Sequence, residues 1–382
     1  MDNANTAADV RALYGGSLTP GRVAEAMMTS EHLFPARTVL CGSLARPLRP
    51  GPWLRDVRIP GATRSYDLVD YLSLNRVTGL LVLHRGQVVR EDYELGLSPI
   101  TRHSSFSLAK SVCSTLVGCA IQEGLIPSLD VTLGQLLPAL RTSAYDAVPL
   151  RALLAMRTGV AWDETYTEPA SDRRRFLEAQ LERRPGALLE VMARLPRKHP
   201  VGHRFNYSTG ETFLVGAVVE AVTRQPLANY LSQRLWQPLG MEQDATWWVE
   251  SPDGVGMGGS GLAATLRDYG RFAQFVLSGG RVDGELVVPS GWFEESTRAS
   301  SDGAPYGYQW WLPSNSDPRH KGAFLGMGIF GQRLYLQPAH DLAVVVLAAR
   351  SKPSDSHVIP DEDFFAALAD TLAARATEGS IP

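Results

Sequence analysis

Apolar and polar positions fall into short strand-like runs near both ends of the chain and helix-spaced stretches between them. Gly79 to Val82 and Val88 to Tyr93 are linked by His84-Arg85-Gly86-Gln87, and a glycine in so short a link predicts a β-hairpin. From Ser107 to Gly124 (SLAKSVCSTLVGCAIQEG), small and apolar residues recur at helical spacing and stop at a glycine, which predicts a largely buried helix. From Leu133 to about Ala245 the pattern is mostly helical: Leu150 to Met156, Phe176 to Arg183, Ala187 to Leu195, Glu211 to Arg224 and Leu227 to Leu235, separated by Pro and Gly loops. Beyond Gly261 the spacing predicts a helix over Leu266 to Leu277 and strands over Arg333 to Gln337 and Leu342 to Ala349. A last amphipathic helix from near Pro360 places Phe364, Phe365, Leu368 and Leu372 on one face. The opening before the hairpin reads as irregular and proline-dotted. Strands early and late predict an α+β protein with one mixed sheet closed by both ends of the chain. Residues 1–125 and 251–382 would build the α/β part, and 126–250 an inserted, mainly helical domain. No internal repeat is found.

Composition narrows the function. With 44% hydrophobic residues over 382 positions the chain can bury a substantial core, which excludes a disordered protein. The 37 basic and 40 acidic side chains leave a net charge of -3, so neither nucleic acid nor an anionic membrane is expected as a partner. Cys41, Cys113 and Cys119 are too few for a disulfide framework. Met1 to Leu18 lacks the apolar stretch of a secretory signal, and the longest apolar run, Leu342 to Ala349, is far short of the roughly 20 residues that span a bilayer. A cytoplasmic protein is expected.

The chain has four lysines, Lys110, Lys198, Lys321 and Lys352, so arginine supplies almost every simple positive charge. Lys110 stands three residues after Ser107 on the predicted helix, and residues so spaced share a face. A serine hydroxyl needs a base to become a nucleophile. A lysine desolvated in an apolar helix can be that base, whereas a guanidinium stays charged. Ser107 at the helix start would also face free N–H groups. Alone, Ser-x-x-Lys is commonplace. Its context here is the aromatic run Phe205-Asn206-Tyr207-Ser208-Thr209 before a helix, and Gly326-Met327-Gly328-Ile329-Phe330-Gly331 at a strand.

With these motifs in order the chain resembles the serine β-lactamase-related family: class C β-lactamases, family VIII carboxylesterases and especially 6-aminohexanoate-dimer hydrolases. The likeness runs from about Thr78 to Ala349. It rests further on Leu153-Leu154-Ala155-Met156-Arg157-Thr158-Gly159, Pro238-Leu239-Gly240-Met241 and Gly259-Ser260-Gly261-Leu262. Asp163 to Ser171, Gln309-Trp310-Trp311 and Gly328 to Gln332 carry the likeness to the 6-aminohexanoate-dimer hydrolases. The resemblance implies a class C β-lactamase-like fold, an antiparallel sheet flanked by helices, with a cleft where the helical insertion meets it. It implies that Ser107 is acylated, that Lys110 takes its proton and that Tyr207 passes a proton to the leaving group. The N–H groups of Ser107 and Ile329 would hold the oxyanion. Tyr166, Thr209, Gly328, Phe330 and Trp311 are the expected substrate-binding residues, with no metal or cofactor.

Departures from the family pattern restrict the substrate. Tyr207-Ser208-Thr209 stands where β-lactamases have Tyr-x-Asn, and Gly326-Met327-Gly328 where they have Lys-Thr-Gly. The amide and the cation that would hold a β-lactam are therefore missing, so a small ester or linear amide is the expected substrate. An acyltransferase on the same scaffold and a catalytically silent binding homologue are the alternatives. A homodimer is left open.

Other signals are set aside. Arg173-Arg174-Arg175 reads as a solvated helix face, and His103 and His203 as local hydrogen-bonding residues. Cys113 and Cys119 read as core, while Trp162, Trp310, Trp311 and Phe330 fit either core or an acyl-pocket wall. Lys321-Gly322-Ala323 precedes the glycine run and is not taken as the third motif. Gly254-x-Gly256-x-x-Gly259 and Gly326-x-Gly328-x-x-Gly331 lack the strand-to-helix setting of a dinucleotide site.

Overall fold

The computed structural model describes residues 3–300, 302–314 and 316–378. The opening is not irregular: it forms helices α1 (Asn3–Tyr14) and α2 (Pro20–Met28). On α1, Val10, Leu13 and Tyr14 are spaced three and four apart, and all three are buried, as are Val23 and Met27 on α2. The alanines between them favour helix without adding an obvious apolar stripe, which is why the pattern hid it.

Strands β1 (Ala36–Val39) and β2 (Arg49–Pro50) and helix α3 (Leu68–Leu74) lead to the hairpin of β3 (Val77–His84) and β4 (Gln87–Tyr93). Its turn is tighter than the four-residue link expected: Arg85 and Gly86 alone make it, with φ of 51° and 72°. After β5 (His103–Ser104), a 3-10 turn at Phe106–Leu108 enters α4 (Ala109–Gln122), which is buried almost all round. The middle of the chain supplies α5 (Leu150–Leu154), α6 (Asp172–Leu181), α7 (Ala187–Ala193) and α8 (Thr209–Thr223). Then come β6 (Ala245–Trp248), β7 (Leu262–Ala264), α9 (Leu266–Leu277), β8 (Phe324–Gly328), β9 (Gln332–Gln337), β10 (Leu342–Ala348) and α10 (Asp361–Glu378).

The larger sheet has the order β8-β9-β10-β3-β4-β2, antiparallel except where β2 meets β4. Late strand β10 pairs with early strand β3, Val344 opposite Val82, so the two ends of the chain share one sheet. Alternation along β3 sends Leu80 and Val82 towards Tyr71 of α3 and Phe364 and Phe365 of α10. Leu81 and Leu83 point the other way, into the main core with α4 and α9. A second sheet, β1-β6-β7-β5, was not anticipated, because strands of two to four residues are too short to show a period. Helix α8 packs on α4, so the start of each reaches one place. Among the described residues no helix is long and apolar enough to cross a membrane.

Candidate active site

The turn that carries Ser107 is strained. Phe106 has φ +45°, a region that costs a bulky side chain energy, and it is held there by burial against Phe330 (ring centroids 5.5 Å apart) and Tyr14 (6.2 Å). Strand β8 lies directly against this turn. A Cβ on Gly328 would stand 2.2 Å from Ser105 O, so only glycine permits the approach. The missing side chain thus serves the contact between strand and nucleophile turn, and Gly328 also borders the cleft beside Ser107.

At the second position of α4, Lys110 Nζ donates to Ser107 Oγ at 3.1 Å, to Thr209 Oγ1 at 3.1 Å and to Gly259 O at 2.7 Å. The lysine is 1% exposed. Burial lowers its pKa to about 7, against the pull of Glu164 towards the charged form. The ring of Tyr207 lies 5.1 Å from Nζ and packs against Trp311 and Tyr306. Burial raises the Tyr207 phenol, Glu164 adds to this and the Ser107 hydroxyl offsets part of it, so the phenol keeps its proton at neutral pH.

Ser208 caps α8, its Oγ accepting from Glu211 N at 3.1 Å, and this places Thr209 in the first helical turn. Thr209 is 2% exposed and does not border the cleft, so it is not a substrate contact. Its hydroxyl accepts from Lys110 and donates to Glu164 Oε1 at 2.5 Å, while its N–H donates to Glu164 Oε2 at 2.8 Å. Glu164 also accepts from Trp162 Nε1 at 2.5 Å and Tyr166 OH at 3.0 Å. Sequence reasoning assigned Glu164 no role. The signal was available: Trp162, Glu164 and Tyr166 alternate, which puts a carboxylate between two aromatic hydrogen-bond donors on one side of an extended segment.

The cleft above Ser107 has a volume of about 370 Å³. Glu164, Tyr166, Tyr207, Trp311 and Ile329 border it around the serine. Arg333 and Arg350 border its other end and were not foreseen. Both bind Asp361, Arg333 Nε at 2.8 Å and Arg350 Nη2 at 2.5 Å, so two cations share one carboxylate there. Phe330 is 1% exposed and lies outside the cleft, because its φ of +63° turns it back onto Phe106. The expectation that it binds substrate is therefore corrected.

Arg173 is likewise corrected: it is no solvated residue but 2% exposed, with its guanidinium over the Tyr14 ring and Nε 4.0 Å from Glu164 Oε1. Arg175 alone of the three arginines is exposed. Trp162 and Trp310 are buried, as are Cys113 and Cys119. His103 bonds Thr78 Oγ1 and Ser104 O, His203 is exposed, and Lys321 lies outside the cleft. Among the described residues no group of three or more His, Cys, Asp or Glu side chains is placed to hold a metal ion.

Comparison with known proteins agrees with this architecture. The Beta-lactamase family matches residues 56–368. The 6-aminohexanoate-dimer hydrolase of Paenarthrobacter ureafaciens is 32% identical over 316 residues, covering 78% of each chain. A Bacillus anthracis structure described as a candidate 6-aminohexanoate-dimer hydrolase has a TM-score of 0.79 at 22% identity, covering 93% of this chain and 94% of that one. A class C β-lactamase from Rhodobacter sphaeroides has a TM-score of 0.55 at 18% identity, covering 78% and 95%. The two structures share the α+β fold predicted from the sequence, and the chain belongs to the β-lactamase family.

Proposed function

We propose that the protein is a serine hydrolase that cleaves small esters or linear amides through an acyl-enzyme on Ser107. The observation that carries this reading is the 3.1 Å between Lys110 Nζ and Ser107 Oγ, with the amine buried and its pKa lowered to about 7. A free amine is then available at neutral pH to take the hydroxyl proton. Ser107 Oγ attacks the carbonyl carbon while its proton passes to Lys110. The N–H groups of Ser107 and Ile329 hold the oxyanion. As the C–O or C–N bond breaks, Tyr207 gives its proton to the leaving group and regains one from Lys110. Water then attacks the acyl ester, Lys110 takes its proton, and the acid leaves as that proton returns to Ser107.

The cleft supports a short, linear substrate. Tyr166, Trp311, Met327 and Ile329 offer apolar walls, and Arg333 and Arg350 favour a chain that ends in a carboxylate. A linear amide with such an end fits the likeness to 6-aminohexanoate-dimer hydrolase. Intact-protein mass spectrometry of wild type and Ser107→Ala, after brief incubation with p-nitrophenyl butyrate and separately with the linear 6-aminohexanoate dimer, tests the reading. An adduct or product that depends on Ser107 is expected, and the preferred compound separates esterase from amidase. No adduct and no turnover with either would refute it.

A further inference from the structure

Beside Ser107 runs a row of charges of alternating sign, buried at both ends and bordering the cleft at Glu164. Lys110 Nζ donates to Thr209 Oγ1 at 3.1 Å, Thr209 Oγ1 donates to Glu164 Oε1 at 2.5 Å, and Arg173 Nε lies 4.0 Å from that same oxygen. Lys110 and Arg173 are 1% and 2% exposed, and the Glu164 side chain 14%, so water screens this row weakly. Arg173 is costly to bury: its Nε and Nη1 have no hydrogen-bond partner among the described residues. An apolar residue would fill the space under Tyr14 at no such cost. The charge itself therefore needs a purpose, and Glu164 is the charged group beside it.

We infer that Glu164 and Arg173 are positioning residues of opposite effect on Lys110. Glu164, through the Thr209 hydroxyl, holds the amine on Ser107 and favours its charged form, and Arg173 offsets Glu164 so that the amine can still be free at neutral pH. The inference rests on the proposed acyl-enzyme reading. The other groups that face this row are Cys113 on α4, Tyr207 beside Lys110, and Tyr14 and Tyr166 beside Glu164 and Arg173. Burial raises all four, so they stay protonated and neutral through the range where Lys110 titrates. Coulombic influence on Lys110 has the expected signs, Glu164 raising it and Arg173 lowering it.

The test is the pH dependence of Ser107 labelling by a fluorophosphonate and of kcat/KM for p-nitrophenyl butyrate. Wild type, Glu164→Gln, Arg173→Gln, Arg173→Lys and the double variant Glu164→Gln/Arg173→Gln are compared, each checked for cooperative unfolding. In wild type both rates should rise through about pH 7 as Lys110 loses its proton. Glu164→Gln should move this limb down by about two pH units and Arg173→Gln should move it up by about one and a half, the sizes expected of charges roughly 5 to 8 Å away at an effective dielectric constant of about 20. Arg173→Lys should restore it. If Arg173→Gln alone does not fold, the double variant removes the carboxylate beside that position as well and should still titrate above Glu164→Gln. Limbs that move together, or do not move while Ser107 labels normally, overturn the inference alone. Absence of Ser107 labelling and of turnover in wild type overturns it together with the acyl-enzyme reading.

Discussion

Replacing Gly328 by alanine tests how the cleft is assembled. The new Cβ would stand 2.2 Å from Ser105 O, a backbone atom that cannot swing aside as the tip of a side chain can. A carbon and a carbonyl oxygen settle at about 3.3 Å, so β8 must withdraw from the nucleophile turn by about 1 Å. That withdrawal carries the N–H of Ile329, half of the proposed oxyanion site, away from Ser107. Misplacement by about 1 Å in an active site costs about 10²-fold, and the acylation rate of Gly328→Ala is expected to fall by about that factor. Gly326→Ala on the same strand is the control. Its Cβ would meet Ser111 Oγ at 3.1 Å and Leu108 Cγ at 3.2 Å, side-chain atoms that can give way, and most of the rate should survive. The assay is the stopped-flow burst of p-nitrophenol from p-nitrophenyl butyrate, with thermal unfolding of both variants alongside. If Gly328→Ala acylates as fast as wild type, the approach of β8 to Ser105 does not build the site and the reasoning fails.

Other consequences follow from the same geometry. Lys110→Ala and Tyr207→Phe should each lower kcat by at least about 10²-fold, the usual worth of a placed acid or base, and normal turnover in either variant would remove it from the mechanism. Glu211 is fully buried on α8, bonded to Thr158 Oγ1 and to Tyr145 OH at 3.5 Å, with no partner for Oε2 among the described residues, and burial raises its pKa to about 8. The folded protein therefore keeps this proton while the unfolded chain, titrating near 4.5, has lost it. Its stabilising contribution is complete below about pH 4.5 and is lost as pH rises through about 8. Glu211→Gln should flatten that decline, so its Tm should gain on wild type between pH 5 and 8; parallel Tm curves would count against it.

Much of the frame is legible in local pattern. The β3–β4 hairpin, the buried helix after Ser107 and the closing amphipathic helix each depend on residues a few positions apart, and all three form where the spacing places them. The opening helices escaped notice because alanine separates their few apolar residues, and the second sheet because its strands are so short. At the site, the pairing of Ser107 with Lys110 follows from helix geometry alone. The remaining partners come from far along the chain. Lys110 meets Thr209 and Gly259 because α8 packs on α4 and the Gly259 carbonyl lies beside both.

Arg173, Thr209 and Phe330 mark the boundary between the two kinds of information. A run of three arginines looks solvated by composition, a threonine after Tyr207 looks like a substrate contact by position, and a phenylalanine after Ile329 looks like a pocket wall. Packing decided otherwise in each case. Arg173 is buried under Tyr14 from the first helix, Thr209 is turned onto Glu164, and Phe330 is turned onto Phe106. The sequence by itself determined the fold class, the Ser107–Lys110 pair and the order of the motifs, because helix and strand periods act over a few residues. Only the tertiary structure decided which charges neighbour that pair and which aromatic residues face the cleft, since those contacts join segments up to about 200 residues apart through the packing of α1, α4, α6 and α8.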